Sequence, residues 1–185
     1  MSLPIALNTR VVGNGPPVVI LHGLFGSSRN WASLSKQLGE HFQVWCVDLR
    51  NHGDSPHHTR MDYPAMAADL LAFLDREELD QVPIIGHSMG GKTAMWFAIT
   101  HPQRVARLMV VDIAPVAYAH DYDGMIDAMQ RVDLTQAKRR DEVDTQLRGA
   151  VPESGLRQFL LTNLVSRDAG YQWRVTLDAV VANMP

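Results

Sequence analysis

The sequence predicts an α/β fold, a mostly parallel β-sheet flanked by helices and followed by a helical cap. Three observations carry that expectation. The runs Val18–Leu21, Val44–Val47, Val82–Ile85 and Leu108–Val111 are apolar almost throughout instead of alternating, the pattern of strands buried on both faces. Stretches with helical spacing separate them, so successive strands return in the same direction through crossovers. Glycine-rich and acidic loops follow the strands at His22–Ser28, Asp48–Ser55, Gly86–Gly91 and Asp112, and in a parallel sheet those strand ends share one rim.

In order along the chain, residues 4 to 12 alternate loosely and stop at Gly13-Asn14-Gly15, a strand closed by a turn. After Pro16-Pro17 the first buried strand runs to Leu21. Trp31, Leu34 and Leu38 then mark a helix over residues 30–38, and Phe42 to Val47 is the next strand. Turn formers fill Leu49 to Pro56. Asp62 or Tyr63-Pro64 opens a strong helix through Leu74, with Met66, Leu70, Leu71 and Leu74 on one stripe and Pro64 in its first turn. Val82–Ile85 leads through a glycine turn into a helix that ends before Pro102, and Leu108–Val111 is expected to be a further buried strand ending at Asp112. From Ala114 onward, residues 122–132, 135–149, 153–165 and 171–183 read as helices with no strand between them. The expected division is therefore residues 1–113 as the sheet-bearing core and residues 114–185 as an incomplete cap.

Composition narrows the function. The 185 residues suffice for one domain with a substantial core, and 46% apolar against 20% charged residues argues against disorder. A net charge of −3 supplies no basic field for nucleic acid or an anionic membrane. The single cysteine, Cys46, excludes an internal disulfide and fits a reducing compartment. Within Val44-Trp45-Cys46-Val47 it reads as a buried structural thiol. No run approaches membrane-spanning length, and Met1 to Asn8 lacks the basic start and long apolar core of a signal peptide. A cytoplasmic protein with neither nucleic-acid nor membrane partners is expected; oligomeric state is not readable.

The chemistry concentrates at Gly86-His87-Ser88-Met89-Gly90-Gly91-Lys92-Thr93. Gly86-x-Ser88-x-Gly90 between a strand and a helix is the nucleophile-elbow pattern, a strained turn that exposes a serine hydroxyl. Gly86 and Gly90 let helix and neighbouring strand crowd that turn. A serine acting in acyl transfer also needs oxyanion donors, a base and a group that orients the base. The expected donors are the backbone N–H of Met89 and that of Leu24, with Gly23 allowing close approach. Asp112 is the candidate orienting acid, since adjacent strands would set it beside Ser88.

The base is missing. His120 is the one histidine after Asp112, and it reads as solvated or structural at the cap's start. His22 is expected to anchor its turn, and His87 to point away from the apex. His52, His57 and His58 share one polar loop, where metal binding is weighed against simple solvation; no cysteine or carboxylate spacing supports a metal. His41 and His101 read as helix-end residues.

The blocks His22-Gly-Leu-Phe-Gly-Ser27, Asp48-Leu-Arg-Asn-His-Gly53, Tyr63-Pro-Ala-Met-Ala67, Gly86-His-Ser-Met-Gly-Gly-Lys92 and Asp112-Ile-Ala-Pro-Val116 resemble, in this order, the α/β-hydrolase superfamily. More closely, they resemble the bacterial YbfF-type serine esterases and their mitochondrial relatives. The resemblance implies hydrolysis of small acyl esters or thioesters without a cofactor, a helical cap, and an acid where Asp112 stands. It places the catalytic histidine on a loop near the C-terminus, after a last strand. On that comparison two βα units, roughly 60–80 residues, would be absent after Pro185. An unpaired sheet edge and little or no activity are then expected.

Two other readings compete. Gly86 to Thr93 also fits G-x-x-x-x-G-K-[ST], the phosphate-cradling loop of nucleotide-binding proteins, and Leu108–Asp112 mimics their Mg²⁺-holding strand. That scheme gives no role to His22-Gly23 or Asp48–Gly53, so Lys92 is taken as incidental. A non-catalytic hydrolase-like interaction module would explain the missing histidine. Met125, Met129, Phe159 and Trp173 are expected to form cap core rather than a substrate pocket.

Overall fold

The computed structural model describes residues 3–116, 123–168 and 170–183. Its main sheet comprises β1 (Thr9–Val12), β2 (Pro17–Leu21), β3 (Gln43–Val47), β4 (Val82–His87) and β5 (Val105–Val111). The order across the sheet is β1-β3-β2-β4-β5, with β1 antiparallel to β3 and every other pair parallel. β2 lies between β3 and β4, so the chain leaves it to one side first and builds on the other side later. Loops at the carboxyl ends of β2 and β4 diverge there and leave a crevice.

A 3-10 turn (Ser28–Trp31) and α1 (Ala32–Leu38) follow β2. Next come α2 (Tyr63–Arg76) and, after β4, α3 (Met89–Thr100). The start of α2 follows from its residues. Asp62 accepts a hydrogen bond from the Ala65 N–H at 2.8 Å, and Pro64 occupies the first turn, where its missing N–H costs nothing. Met66, Leu70, Phe73 and Leu74 are buried against the sheet, with Leu71 at the margin. Cys46 is buried, as expected, and desolvation raises its thiol pKa to about 11.

Two expectations are corrected. β5 is not a strand buried on both faces: Leu108 is 38% and Met109 58% exposed, and among the described residues β5 pairs only with β4. An apolar run reports strand character but not whether the strand lies inside the sheet or at its border. The unpaired edge expected above is this one. The second correction concerns the region after Ala114. Helices α4 (Asp123–Arg131), α5 (Arg140–Leu147) and α6 (Ser154–Leu161) form, with α5 much shorter than the 135–149 stretch. Residues 171–183, however, are not one helix. β6 (Leu164–Arg167) and β7 (Gly170–Trp173) make an antiparallel pair before α7 (Leu177–Asn183). Runs of four residues are too short for their periodicity to separate helix from strand. His120 lies outside the described residues.

One apolar cluster joins the sheet to these later elements. It includes Leu21, Leu24, Phe25, Phe97 and Met89 together with Met129, Leu147, Leu160, Leu164 and Val180. Met129 is fully buried, and Met125, Phe159 and Trp173 pack at the margin. No helix among the described residues is long and apolar enough to cross a membrane.

Candidate active site

β4 ends at His87 and α3 begins at Met89, so Ser88 alone makes the turn between them. Its backbone sits at φ 50°, ψ −116°, a region costly for a residue with a Cβ. Surrounding bonds hold it there: the Ser88 N–H donates to Val111 O at 3.0 Å and its carbonyl accepts from Lys92 N. The flanking glycines are sterically required. A Cβ on Gly86 would lie 2.5 Å from Gly90 O, and one on Gly90 would lie 2.5 Å from the carbonyl oxygens of Leu21 and His22. At Gly23 a Cβ would come within 2.7 Å of His87 Nδ1 and 3.3 Å of Ser88 Cβ. The loop after β2 therefore packs directly on the elbow.

Met89 opens α3, so its N–H has no carbonyl one turn earlier in the helix. Neither the Met89 nor the Leu24 N–H has a hydrogen-bond partner among the described residues. Leu24 is oriented by its neighbours. Gly23 O accepts from His22 Nδ1 at 2.8 Å and from the Gly26 N–H at 2.9 Å. In a trans peptide the carbonyl and the following N–H point oppositely, so pinning Gly23 O directs the Leu24 N–H the other way. His22 thus does anchor the turn. Its Nε2 accepts from the Leu49 N–H at 3.0 Å, which makes the ring neutral with the proton on Nδ1. Burial lowers its pKa, consistent with that state.

His52 has a role the sequence did not disclose. Its position in a turn-rich loop reads as solvated or metal-binding, yet the ring is fully buried 5.2 Å from that of His22. Nε2 accepts from the Phe25 N–H at 3.2 Å, and Nδ1 donates to Arg50 O at 2.9 Å. Burial, reinforced by His22, lowers its pKa to about 3. His57 and His58 stay partly exposed or exposed, and no metal-binding group of three or more His, Cys, Asp or Glu occurs among the described residues. The same loop is fixed by Asp48, which accepts from Ser28 N at 2.6 Å, Asn8 Nδ2 at 2.7 Å and Asp54 N at 2.9 Å. Burial pushes its carboxyl up, but these donors outweigh that and hold it below the usual range.

Parallel pairing of His87 with Val111 sets Ser88 and Asp112 side by side on adjacent strand ends. Asp112 has φ 56° and an 85% exposed side chain. His87 does not point away from this region. Its ring faces Gly23, stands edge-on to Trp31 at 6.4 Å, and brings Nε2 to 3.7 Å from Asp112 Oδ2, beyond hydrogen-bonding range. With His22, Gly23, Gly26, Asn30, Trp31 and Phe159 it lines a cavity of about 240 Å³.

The phosphate-loop reading fails on geometry. Residues from Met89 onward are already helical, which leaves no open loop after Gly86. Thr93 is fully buried and donates to Met89 O at 3.0 Å, while Lys92 Nζ donates to Val116 O at 3.1 Å.

Residues 16–169 match the family model described as alpha/beta hydrolase fold. The chain is 43% identical over 174 residues to the sn-1-specific diacylglycerol lipase ABHD11 of Xenopus tropicalis, an alignment that covers 90% of this chain and 54% of that protein. It is 37% identical over 173 residues to the esterase YbfF of Escherichia coli K12, covering 93% and 66% respectively. The solved structure of a marine microorganism esterase superposes with a TM-score of 0.93 at 43% identity, over 96% of this chain and 71% of that one. The chain thus spans about half to two thirds of the length of these curated relatives.

Proposed function

The chain belongs to the α/β-hydrolase family, and from that premise we propose that it carries the nucleophile half of a serine hydrolase acting on small acyl esters or thioesters. Ser88 Oγ attacks the substrate carbonyl carbon. The N–H groups of Leu24 and Met89 receive the developing oxyanion, and the alcohol or thiol leaves with a proton. Water then releases the acyl group from Ser88. Asp112 orients the imidazole that takes and returns the proton. The observation that carries the reading is Ser88 at φ 50° in a crowded elbow, beside two backbone donors that have no partner among the described residues. Such strain persists only where surrounding structure enforces it.

Residues 1–113 supply these groups, and residues 114–185 act as the cap. Phe159 of α6 supports that division by closing the cavity against Trp31 and His87. A volume of about 240 Å³ lies below that of common drug-sized pockets, which favours a small acyl group. No cofactor enters this chemistry, and the buried thiol of Cys46 suits a reducing compartment such as the cytoplasm.

Among the described residues no imidazole bridges Ser88 and Asp112, so residues 1–185 alone should turn over ester slowly. A serine without its base keeps only modest catalysis from the oxyanion hole and binding. Hydrolysis of p-nitrophenyl butyrate and fluorophosphonate labelling test the reading. Both should depend on Ser88 and vanish in Ser88→Ala. Both should rise more than tenfold in a version extended by a relative's C-terminal, histidine-bearing portion. Activity unchanged in Ser88→Ala would reject the nucleophile, and equal turnover with and without the extension would reject the missing base.

A further inference from the structure

Three consecutive peptide groups of the loop after β2 are each held by a side chain. His22 Nδ1 holds Gly23 O, His52 Nε2 holds the Phe25 N–H, and Asn163 Nδ2 holds Phe25 O at 2.7 Å. The first two side chains belong to the strand-end loops of the sheet. The third lies 138 residues away in sequence, between α6 and β6.

Asn163 is built for this contact. It is 3% exposed, and its amide also donates to Leu160 O at 3.3 Å. Both partners are carbonyl oxygens, so only the NH₂ end of the amide fits. Its backbone carbonyl accepts from Arg174 N at 2.7 Å, and the Arg174 side chain pairs with Asp54 at 3.1 Å. Asn163 is therefore fastened to the residue that follows β7 and, through the Arg174 side chain, to the loop after β3. Phe159, four residues earlier, lines the cavity beside the elbow.

The residue that Asn163 grips is itself conformationally costly. Phe25 has φ 60°, a left-handed setting that a side chain disfavours. Released at its carbonyl, Phe25 can relax toward negative φ. That relaxation rotates the peptide group on its N-terminal side and drags the adjacent Gly23–Leu24 group, which carries the oxyanion donor.

Resting on the assignment of Leu24 N–H to the oxyanion hole, we infer that Asn163 is a positioning residue that ties the oxyanion-hole geometry to the seating of the cap. The donor is aimed correctly only when the segment from α6 to β6 is docked on Phe25. Asn163 holds the donor loop without lining the cavity, so its contribution falls on transition-state stabilisation rather than on ground-state binding.

Two measurements test this on the 185-residue chain. Asn163→Asp keeps the size of the side chain but replaces the donor with a carboxylate facing Phe25 O; Asn163→Ala removes the group. Hydrogen exchange at the bonded amides of Phe25 and Gly26 should accelerate about tenfold or more in both variants, with exchange in β2 and β4 unchanged. Exchange at those two amides equal to wild type would overturn the inference, whatever Ser88 does. In p-nitrophenyl butyrate hydrolysis the Ser88-dependent kcat should fall about 10- to 100-fold, with KM within about twofold. A rise in KM at constant kcat would overturn it by making Asn163 a binding element only. Hydrolysis insensitive to Ser88→Ala would instead reject the serine-hydrolase reading, and the exchange result would still decide the role of Asn163.

Discussion

Arg50 and Asp69 form a two-pronged ion pair with both side chains fully buried, Nε to Oδ2 at 2.6 Å and Nη2 to Oδ1 at 2.8 Å. The pair clamps the loop after β3 onto α2. Every remaining polar atom is used: Arg50 also donates to the carbonyls of Arg60 and Ala65, and Asp69 also accepts from the Ile5 N–H. Removing one partner leaves an uncompensated charge in the core, which typically costs about 3–5 kcal/mol. Asp69→Ala should therefore lose stability of that order in urea unfolding. A loss under about 1 kcal/mol would mean that water reaches Arg50 and that the pair is not sealed.

The elbow stores strain that its sequence neighbours cannot relieve. Ser88→Gly removes the Cβ that makes φ 50°, ψ −116° costly. The variant should gain about 1 kcal/mol of stability, net of glycine's extra chain entropy, while losing fluorophosphonate labelling completely. Thermal unfolding of the two proteins side by side gives the sign. A less stable variant would remove the claim of strain.

Acid should destabilise the fold through the histidines beneath the β2 loop. His52 stays unprotonated in the folded state down to about pH 3, whereas an unfolded histidine takes a proton near pH 6.5. Below pH 6.5 the unfolded chain therefore binds more protons. Stability from this residue is complete above that pH and is lost progressively toward pH 3. Between pH 6.5 and 5 the loss from His52 should be about 2 kcal/mol, and burial of His22 acts in the same direction. His52→Gln keeps an acceptor for the Phe25 N–H but does not titrate. Its urea midpoint should fall measurably less than wild type over that window; identical slopes would show that His52 is not held neutral.

Much of the molecule is legible in one dimension because its cues are local. The β2, β3 and β4 runs, the Asp62 cap and Pro64, and the Gly86-x-Ser88-x-Gly90 spacing each depend on residues a few positions apart. Backbone sterics and hydrophobic burial translate them directly into strand, helix start and elbow. The pairing of β4 with β5 that brings Asp112 beside Ser88 also follows from a short crossover. The β6–β7 hairpin and the exposed face of β5 were not legible, since a four-residue period is ambiguous and an apolar run looks alike at the centre and border of a sheet.

Side-chain roles divide along the same line. Residue type and spacing single out Ser88, Leu24, Met89 and Asp112 as candidates, and the β4–β5 register sets Ser88 beside Asp112. They misplace His52 and His87, and they are silent on Asn163. A histidine in a polar loop reads as solvated until the loop folds under β2 and buries the ring against Phe25 N–H. Nothing marks one asparagine within the expected 153–165 helix until its amide meets a carbonyl 138 positions earlier. Hydrogen bonds between distant segments are set by where the sheet and the later helices pack. The sequence therefore names the proposed nucleophile and its proposed donors, while the tertiary structure decides which groups fix the loop that carries them.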